Sequence, residues 1–292
     1  MTDILCRRSG FLPALAALLL PFGTAAADPA LWSVKGRSNT VYLFGSVHLL
    51  RQGGFAIGSE LERAYRDAKI VCFEVDLGAL TPATTASVTL ERAIDPQGRG
   101  LYDLLGASAP RVREAAANAG FDLTPFELFE PWFAGISVSV LTLQKKGYEA
   151  DQGVEQVIER EAQKDGKAGC GLETLDEQLG LLDNLPAEEQ LELLLQSLEE
   201  SKGIEEEMQR LYEAWKDGDD EPLARQLDED FADYPDLAER LIYARNERWA
   251  DQIAALLERP DDALVVVGAM HLAGDRSLPA KLERRGFTVT RR

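Results

Sequence analysis

The chain has only two histidines, and both occur in the same five-residue motif, G-x-x-H-L. The first motif spans residues 45–49 and contains His48, and the second spans 268–272 and contains His271. Strand-forming residues precede each motif, V-Y-L-F before the first and L-V-V-V before the second. A glycine at a strand end permits a tight turn or a close approach, and an imidazole beyond it lies where open α/β sheets bind ligands. We therefore predict one site with two imidazoles, against the alternative of two unrelated, hydrogen-bonded histidines.

Two glutamates in strand-like runs are candidates for the same site. Glu74 lies within the apolar run I-V-C-F-E-V, where an unpaired carboxylate would be costly to bury without a cation, a metal or a donor beside it. Glu173 ends a short strand-like run, directly before a T-L-D-E pattern that is typical of a helix N-terminus. The alternatives are a structural ion pair for Glu74 and a capping or loop role for Glu173.

The helix predicted over residues 236–258 carries two polar side chains on or beside its apolar stripe. Asn246 lies within the stripe, between Ile242 and Trp249, and Arg245 is its neighbour. Arginine offers a planar fork to a carboxylate or an oxyanion, and asparagine offers both a donor and an acceptor. The alternatives are that Arg245 pairs with a core acid and that Asn246 caps a loop.

These residue types together favour a catalytic metal. The predicted metal ligands are His48, His271 and Glu74, and the predicted catalytic side chains are Glu173, Arg245 and Asn246. Two imidazoles and a carboxylate, with a coordination position left open, suit zinc, manganese or cobalt, which activate water and polarise carbonyls. The sequence has no H-E-x-x-H motif, no G-x-S-x-G elbow and no glycine-rich phosphate loop, which excludes those enzyme classes.

The elements that must position these residues indicate an α/β fold with a central mixed β-sheet flanked by helices. A hairpin is predicted over residues 31–45, a buried strand over 70–77 and a further strand over 263–268. A long apolar helix is predicted over 125–146, with Pro131 expected to kink or split it. The segment from about 186 to 230 is rich in glutamate and leucine at helical spacing, and we interpret it as an acidic helical insertion without metal ligands.

Taken in order along the chain, these motifs resemble the TraB/PrgY/GumN family, which includes the TIKI proteases that act on Wnt proteins. The residues that carry the resemblance are the first G-x-x-H, Phe73-Glu74-Val75-Asp76, Gly171-Leu172-Glu173-Thr174 with Glu177-Gln178, Arg245-Asn246, and Val267 to Gly274. The likeness covers essentially the whole chain after residue 27.

The resemblance implies an α/β core like that of erythromycin-esterase-like and ChaN-like proteins, in which two G-x-x-H motifs meet at one site. It implies a metal-dependent hydrolase, best interpreted as a peptidase acting on a peptide or protein, with His48, His271 and Glu74 in the central roles. Two other functions stay open: haem or metal binding, as in ChaN-like proteins, and a non-catalytic accessory role in envelope polysaccharide biosynthesis, as in the GumN branch.

Composition and the N-terminal residues predict where the protein works. Arg7 and Arg8, an apolar stretch over residues 11–22 and the alanines at 25–27 form a secretory signal peptide cleaved after Ala27, too short to span a membrane. We therefore expect export to the periplasm of a bacterium, with residues 28–292 as one domain. The net charge of −19 argues against nucleic acid as a partner.

Two cysteines remain after residue 27, and the sequence does not decide their state. Cys72 and Cys170 lie in strand-like runs that end in Glu74 and Glu173. They form a disulfide in an oxidising compartment if the two strands are neighbours. Two buried free thiols are the alternative, which we favour slightly, because sequence spacing does not settle the geometry.

Overall fold

The fold is taken from a computed structural model that describes residues 28–232 and 234–292. The predicted signal peptide lies outside the described residues, so its cleavage after Ala27 stays a prediction. The strands are β1 (Leu31–Lys35), β2 (Thr40–Ser46), β3 (Leu50–Arg51), β4 (Ile70–Val75), β5 (Tyr148–Glu149), β6 (Ala168–Glu173), β7 (Ala263–Gly268) and β8 (Thr288–Arg291). The helices are α1 (Ser59–Asp67), α2 (Pro82–Ala93), α3 (Leu101–Leu105), α4 (Ala109–Ala119), α5 (Pro131–Lys145), α6 (Val154–Lys164), α7 (Leu175–Asp183), α8 (Ala187–Glu200), α9 (Ile204–Lys216), α10 (Asp220–Asp230), α11 (Pro235–Ala238), α12 (Ala244–Leu257) and α13 (Leu278–Arg284). Among the described helices, none is both long and apolar enough to cross a bilayer.

Six strands form one mixed sheet in the order β6-β4-β7-β2-β1-β8. The four strands from β6 to β2 are parallel, while β1 and β8 are antiparallel to their neighbours. The parallel strands are joined by helical crossovers, as this pairing requires, and only β1 and β2 form a hairpin. The predicted α/β fold with a central mixed sheet is confirmed.

Helices cover both faces of the sheet, and the side chains of β7 pack against helices on both faces. Leu264 and Val266 face a core completed by α1, α6 and α9, whereas Val265 and Val267 face a core completed by α12 and α13. All four side chains are fully buried, as expected of a central parallel strand with alternating faces.

A separate helical core lies beyond the sheet and includes part of the predicted insertion. Residues 186–230 form α8, α9 and α10. Leu194, Leu195 and Leu198 of α8 are buried in a cluster with side chains from α3, α4 and α5. Trp215 of α9 is buried in the sheet core instead, and its indole N–H donates to the carbonyl oxygen of Gly45 at 2.8 Å. The insertion is therefore packed into the molecule on two sides.

Three predicted elements differ from the observed ones at their ends or middle. The strand β4 ends at Val75, because Asp76 caps a short 3-10 turn. Pro131 neither kinks nor splits a helix but begins α5, a position that tolerates its missing N–H. The helix predicted over 236–258 contains a π-helical turn, Glu239–Tyr243, which ends two residues before Arg245.

The two cysteines are joined by a disulfide. Cys72 of β4 and Cys170 of β6 are direct partners in the parallel register, with their Cα atoms 4.4 Å apart. The slight preference for free thiols was wrong, because sequence spacing does not reveal that these two strands are neighbours. The bond lies two residues before Glu74 and three before Glu173.

Candidate functional site

The predicted site residues meet at the carboxyl-terminal edge of the parallel sheet. The strands β4, β7 and β2 are adjacent, and Ser46 is the register partner of Gly268, so the two motifs leave the sheet side by side. Glu74 comes from the end of β4, on the other side of β7. Three neighbouring strand ends therefore supply the three predicted ligands, as expected at the edge where α/β sheets bind ligands.

Gly268 forms the floor between these three side chains. A Cβ atom at this position would lie 3.2 Å from Glu74 Oε1, 3.6 Å from His48 Nε2 and 3.6 Å from His271 Cδ2. The backbone of Gly268 has φ −50° and ψ 135°, which any residue can adopt, so the glycine is needed for space rather than for conformation. Its bare Cα leaves a small cradle bounded by two imidazoles and a carboxylate.

His271 is held as a neutral imidazole with its proton on Nδ1. Asn246 donates its amide to the carbonyl oxygens of His271 and Arg276, each at 3.2 Å, which turns its Oδ1 towards His271 Nδ1 at 2.7 Å. Nδ1 must then be the donor, and the lone pair lies on Nε2. Burial, together with the nearby charges of Arg245 and His48, lowers the pKa of His271 to about 3. The ring also packs on Trp249, with centroids 4.5 Å apart.

His48 occupies the opposite electrostatic situation. Its side chain is 64 % exposed, and Nδ1 pairs with the carboxylate of Glu155, which also accepts from the Ser46 hydroxyl at 2.5 Å. The charge of Glu155 raises the pKa of His48 to about 9. His48 Nε2 faces the cradle above Gly268.

Glu74 is buried, and both of its oxygens are in use. Oε1 accepts the backbone N–H of Gly268 at 2.8 Å, while Oε2 accepts from Gln178 at 2.9 Å and from Arg245 at 2.5 Å. Burial raises the pKa of Glu74, but the combined effect of His271, Arg245, His48 and the Gly268 N–H lowers it to about 2. The carboxylate is therefore ionised, and Oε1 faces the cradle.

Arg245 connects the other groups of the site. Its Nε and Nη2 make a two-pronged pair with Glu173 at 3.2 and 2.6 Å, and Nη2 also donates to Glu74. Nη1 donates to the carbonyl oxygen of Leu241 at 2.9 Å and to His271 Nε2 at 3.1 Å. All five guanidinium hydrogens thus have protein acceptors. In this arrangement Arg245 positions Glu74, Glu173 and His271, and its contact with substrate stays a prediction.

Comparison with known proteins places this arrangement in a family. The model of the TraB/PrgY/gumN family matches residues 30–291, which is nearly the whole described chain. The chain belongs to the TraB/PrgY/gumN family. It is 23 % identical over 244 residues to two proteins named "Uncharacterized protein YbaP", from Escherichia coli strain K12 and Shigella flexneri. The aligned part covers 82 % of this chain and 87 % of each relative. No solved structure matches significantly.

The donor atoms of this TraB/PrgY/gumN protein fit a divalent metal in kind. Both imidazoles use Nδ1 on an acceptor of the protein and turn Nε2 inward, which is the usual outer-shell arrangement of metal-binding histidines. Their inward edges and Glu74 Oε1 surround the one position that a Cβ on Gly268 would fill.

The arrangement is not closed around a metal. Between residues 28 and 292, Asp233 aside, no three His, Cys, Asp or Glu side chains form a preformed metal site. His271 Nε2 and Glu74 Oε1 are 3.9 Å apart, against about 3.4 Å for two ligands of a tetrahedral zinc with bonds of ~2.1 Å. Arg245 already occupies the lone pair of His271 Nε2. A metal on that nitrogen therefore requires Arg245 Nη1 to move away.

Sequence reasoning missed Glu155 of this family member and gave no role to Gln178. Glu155 follows the apolar Val154 at the start of α6, and it lies on the same buried stripe as Ile158, Glu159 and Ala162. An acid at i, i+3, i+4 spacing with core residues is a readable signal of a buried partner. Gln178 lies in the first turns of α7, behind the confirmed Thr174–Glu177 capping box, and donates to Glu74 and to Glu173.

Proposed function

We propose that this TraB/PrgY/gumN protein is a metal-dependent hydrolase that cleaves peptide bonds and works in the periplasm. The observation that carries the proposal is the convergence of both G-x-x-H imidazoles and Glu74 on the Gly268 cradle. His48, His271 and Glu74 would hold a manganese, cobalt or zinc ion. A divalent metal held there supplies Lewis-acid chemistry, activating water and polarising a carbonyl.

The protein's own contribution is to fix protons and charges in advance. Asn246 and Glu155 each accept from Nδ1 of one imidazole, so Nε2 is the nitrogen that each ring would offer to a metal. Ligation would require His48 to lose its second proton and Arg245 Nη1 to leave His271 Nε2. Arg245 and Gln178 hold Glu74 in place, and Glu173 anchors Arg245. Packing of His271 on Trp249 keeps water from one side of the site.

A side chain rigidly held by such contacts loses little entropy when substrate binds. The Cys72–Cys170 disulfide supports the periplasmic location, because disulfides are typical of oxidising compartments.

The test is a digest of a defined peptide library by the chain from Asp28 onward, with Mn²⁺, Co²⁺ or Zn²⁺ added or with EDTA. We expect cleavage with metal and none with EDTA. Glu74→Gln should lower kcat/KM at least about 100-fold, since loss of an outer-shell partner alone costs roughly 10–100-fold. Glu130→Gln is the matched control, because Glu130 is also a buried glutamate but accepts from Gln190, and it lines neither the site nor the cavity beside it.

Two results would contradict the proposal. One is the absence of cleavage with every metal in a folded protein. The other is equal activity of Glu74→Gln and the wild type. Saturable haem binding without any turnover would favour the binding-protein alternative instead.

A further inference from the structure

The helix α2 presents an uncharged surface in a strongly charged protein. Residues 77–90 contain no Asp, Glu, Lys or Arg, although 28 % of the chain is charged. Exposed positions of this segment include Pro82, Ala86, Ser87 and Leu90, and Leu90 is 47 % exposed. A helix face in water normally carries charges, so an uncharged exposed face indicates contact with another molecule.

This uncharged face forms one wall of a groove, which we name the α2–α6 groove. It encloses about 770 Å³ between α2, including Ala86 and Thr89, and α6, including Gln156 and Gln163. From Pro82 to Leu90 the α2 wall is about 12 Å long at ~1.5 Å per residue. An extended polypeptide advances ~3.3 Å per residue, so the wall accommodates about four residues.

The groove continues into the candidate site. A neighbouring cavity of about 200 Å³ is lined by His48, Glu74 and Glu155. Leu77 and Gln156 line both cavities. A polypeptide segment bound in the groove would therefore extend to the cradle above Gly268.

The α6 wall carries two charged side chains, Glu159 and Arg160. Arg160 donates to the carbonyl oxygen of Asp151 at 2.9 Å. Glu159 is 8 % exposed and accepts from Gln163 at 2.8 Å. Arg160 is nevertheless exposed and has no carboxylate partner among the described residues, so the α6 wall presents one positive charge. The α2 wall presents none, and a charged side chain placed against it would be costly to bury unpaired. The amide of Gln156, in contrast, offers a donor and an acceptor of the kind that a peptide main chain needs.

We propose that the α2–α6 groove binds the substrate polypeptide as an extended segment of about four residues with uncharged side chains, beside the bond to be cleaved. This specificity rests on the proposed hydrolase function. The α2 wall recognises the absence of charge, because an Asp or Lys side chain placed against it would lose water without gaining a partner. The α6 wall binds the main chain.

The test measures binding without turnover. Three fluorescein-labelled nonapeptides differ only in their four central positions: one carries Thr, Val, Leu and Ala, one has two of these replaced by Asp, and one has two replaced by Lys. Fluorescence anisotropy gives Kd for each with the chain from Asp28 onward in EDTA. Ala86→Glu places a charge in the groove, and Ser87→Glu places the same charge on the next residue of α2, outside the groove lining.

We expect the wild type to bind the uncharged peptide at least about tenfold more tightly than the lysine peptide, a difference of ~1.4 kcal/mol. The affinity for the aspartate peptide should fall between these two, because Arg160 on the α6 wall can pair with an Asp side chain. Ala86→Glu should weaken the uncharged peptide about tenfold or more, and Ser87→Glu less than about twofold. The proposal that the groove binds substrate would be contradicted by equal affinity for the three peptides, by no saturable binding, or by equal effects of the two substitutions. The binding measurement involves no metal and no cleavage. Selective peptide binding without hydrolysis in the library digest would therefore contradict the proposed hydrolase function but not the proposed binding of peptide in the groove.

Discussion

The two G-x-x-H-L motifs have the same spacing and leave adjacent parallel strands, yet their histidines are in opposite states. His271 is 3 % exposed and stacked on Trp249, with a pKa lowered to about 3. His48 has a side chain 64 % exposed and a pKa raised to about 9. The difference arises from the helix that contacts each motif: α12 supplies Asn246 and Arg245 to His271, and α6 supplies Glu155 to His48.

The motif therefore fixes where each imidazole lies, while the helix that contacts the motif fixes the protonation state of that imidazole. Both partners bond Nδ1, so the opposite edge of each ring borders the Gly268 cradle, through Nε2 in His48 and Cδ2 in His271. A neutral amide and a cation surround the buried ring, whereas a carboxylate stands beside the exposed ring. His271 is thus prepared as a neutral ligand, and His48 carries a proton that ligation would have to displace.

The largest expected effect is on stability, from replacing Arg245, which contacts the buried His271. Arg245→Ala leaves Glu74 and Glu173 buried without their cation, and we expect the free energy of unfolding to fall by about 3–5 kcal/mol. Arg248 also approaches Glu173, at 3.6 Å, but its side chain is 51 % exposed, so Arg248→Ala should cost less than ~1 kcal/mol. Urea unfolding measures both, and equal losses would show that the buried network does not stabilise the fold.

The two motif glycines give the next largest contrast. A Cβ on Gly45 would lie 3.0 Å from the backbone Cα of Ala269, so Gly45→Ala should cost about 1–3 kcal/mol through overpacking. A Cβ on Gly268 would meet side-chain atoms at 3.2 Å or more, so Gly268→Ala should fold with a loss under ~1 kcal/mol but fill the cradle. Thermal unfolding with calorimetric zinc titration separates the two effects. A Gly268→Ala variant that binds metal as the wild type does would refute the cradle.

The smallest effect is a direct reading of the two protonation states. With only two histidines, the imidazole proton spectrum of the metal-free protein has two resonances to follow with pH. We expect one to titrate near pH 9 and the other to stay neutral from pH 5 upward. Glu155→Gln removes the negative charge beside His48 and should lower its pKa towards ~6.5, whereas Glu159→Gln should leave it unchanged. Identical titration of both rings would contradict the claim that the two histidines have different protonation states.

Much of the fold was predictable from hydrophobic patterns. Apolar runs around residues 70–75 and 263–268 gave central strands, and the Thr174–Glu177 pattern gave a real capping box. Strand order was not predictable, because parallel partners are distant in sequence; the Cys72–Cys170 bond depends on that order. The π-helical turn before Arg245 also left no pattern that distinguishes it from an α-helix.

The candidate site was predictable as a set of residues but not as a network. Histidines after strand-end glycines, a charged residue within an apolar strand and polar residues on an apolar helix stripe are local signals. The pairing of Arg245 with both Glu74 and Glu173 depends on how α12 lies over the sheet edge, which local patterns do not fix. The sharing of Glu155 by Ser46 and His48 similarly depends on where α6 crosses β2.

The central claim is that the two unlike histidines serve one metal, and metal stoichiometry tests it most directly. The chain from Asp28 onward, His48→Ala, His271→Ala and the control Glu159→Gln are dialysed against zinc, manganese or cobalt and analysed by mass spectrometry, with circular dichroism to verify folding. We predict about one metal per chain for the wild type and the control and at least a tenfold weaker affinity for both histidine variants. Because His48 is exposed, His48→Ala should fold, and it is the decisive variant if His271→Ala proves unstable. Stoichiometric metal in His48→Ala, or none in the wild type, would contradict the account.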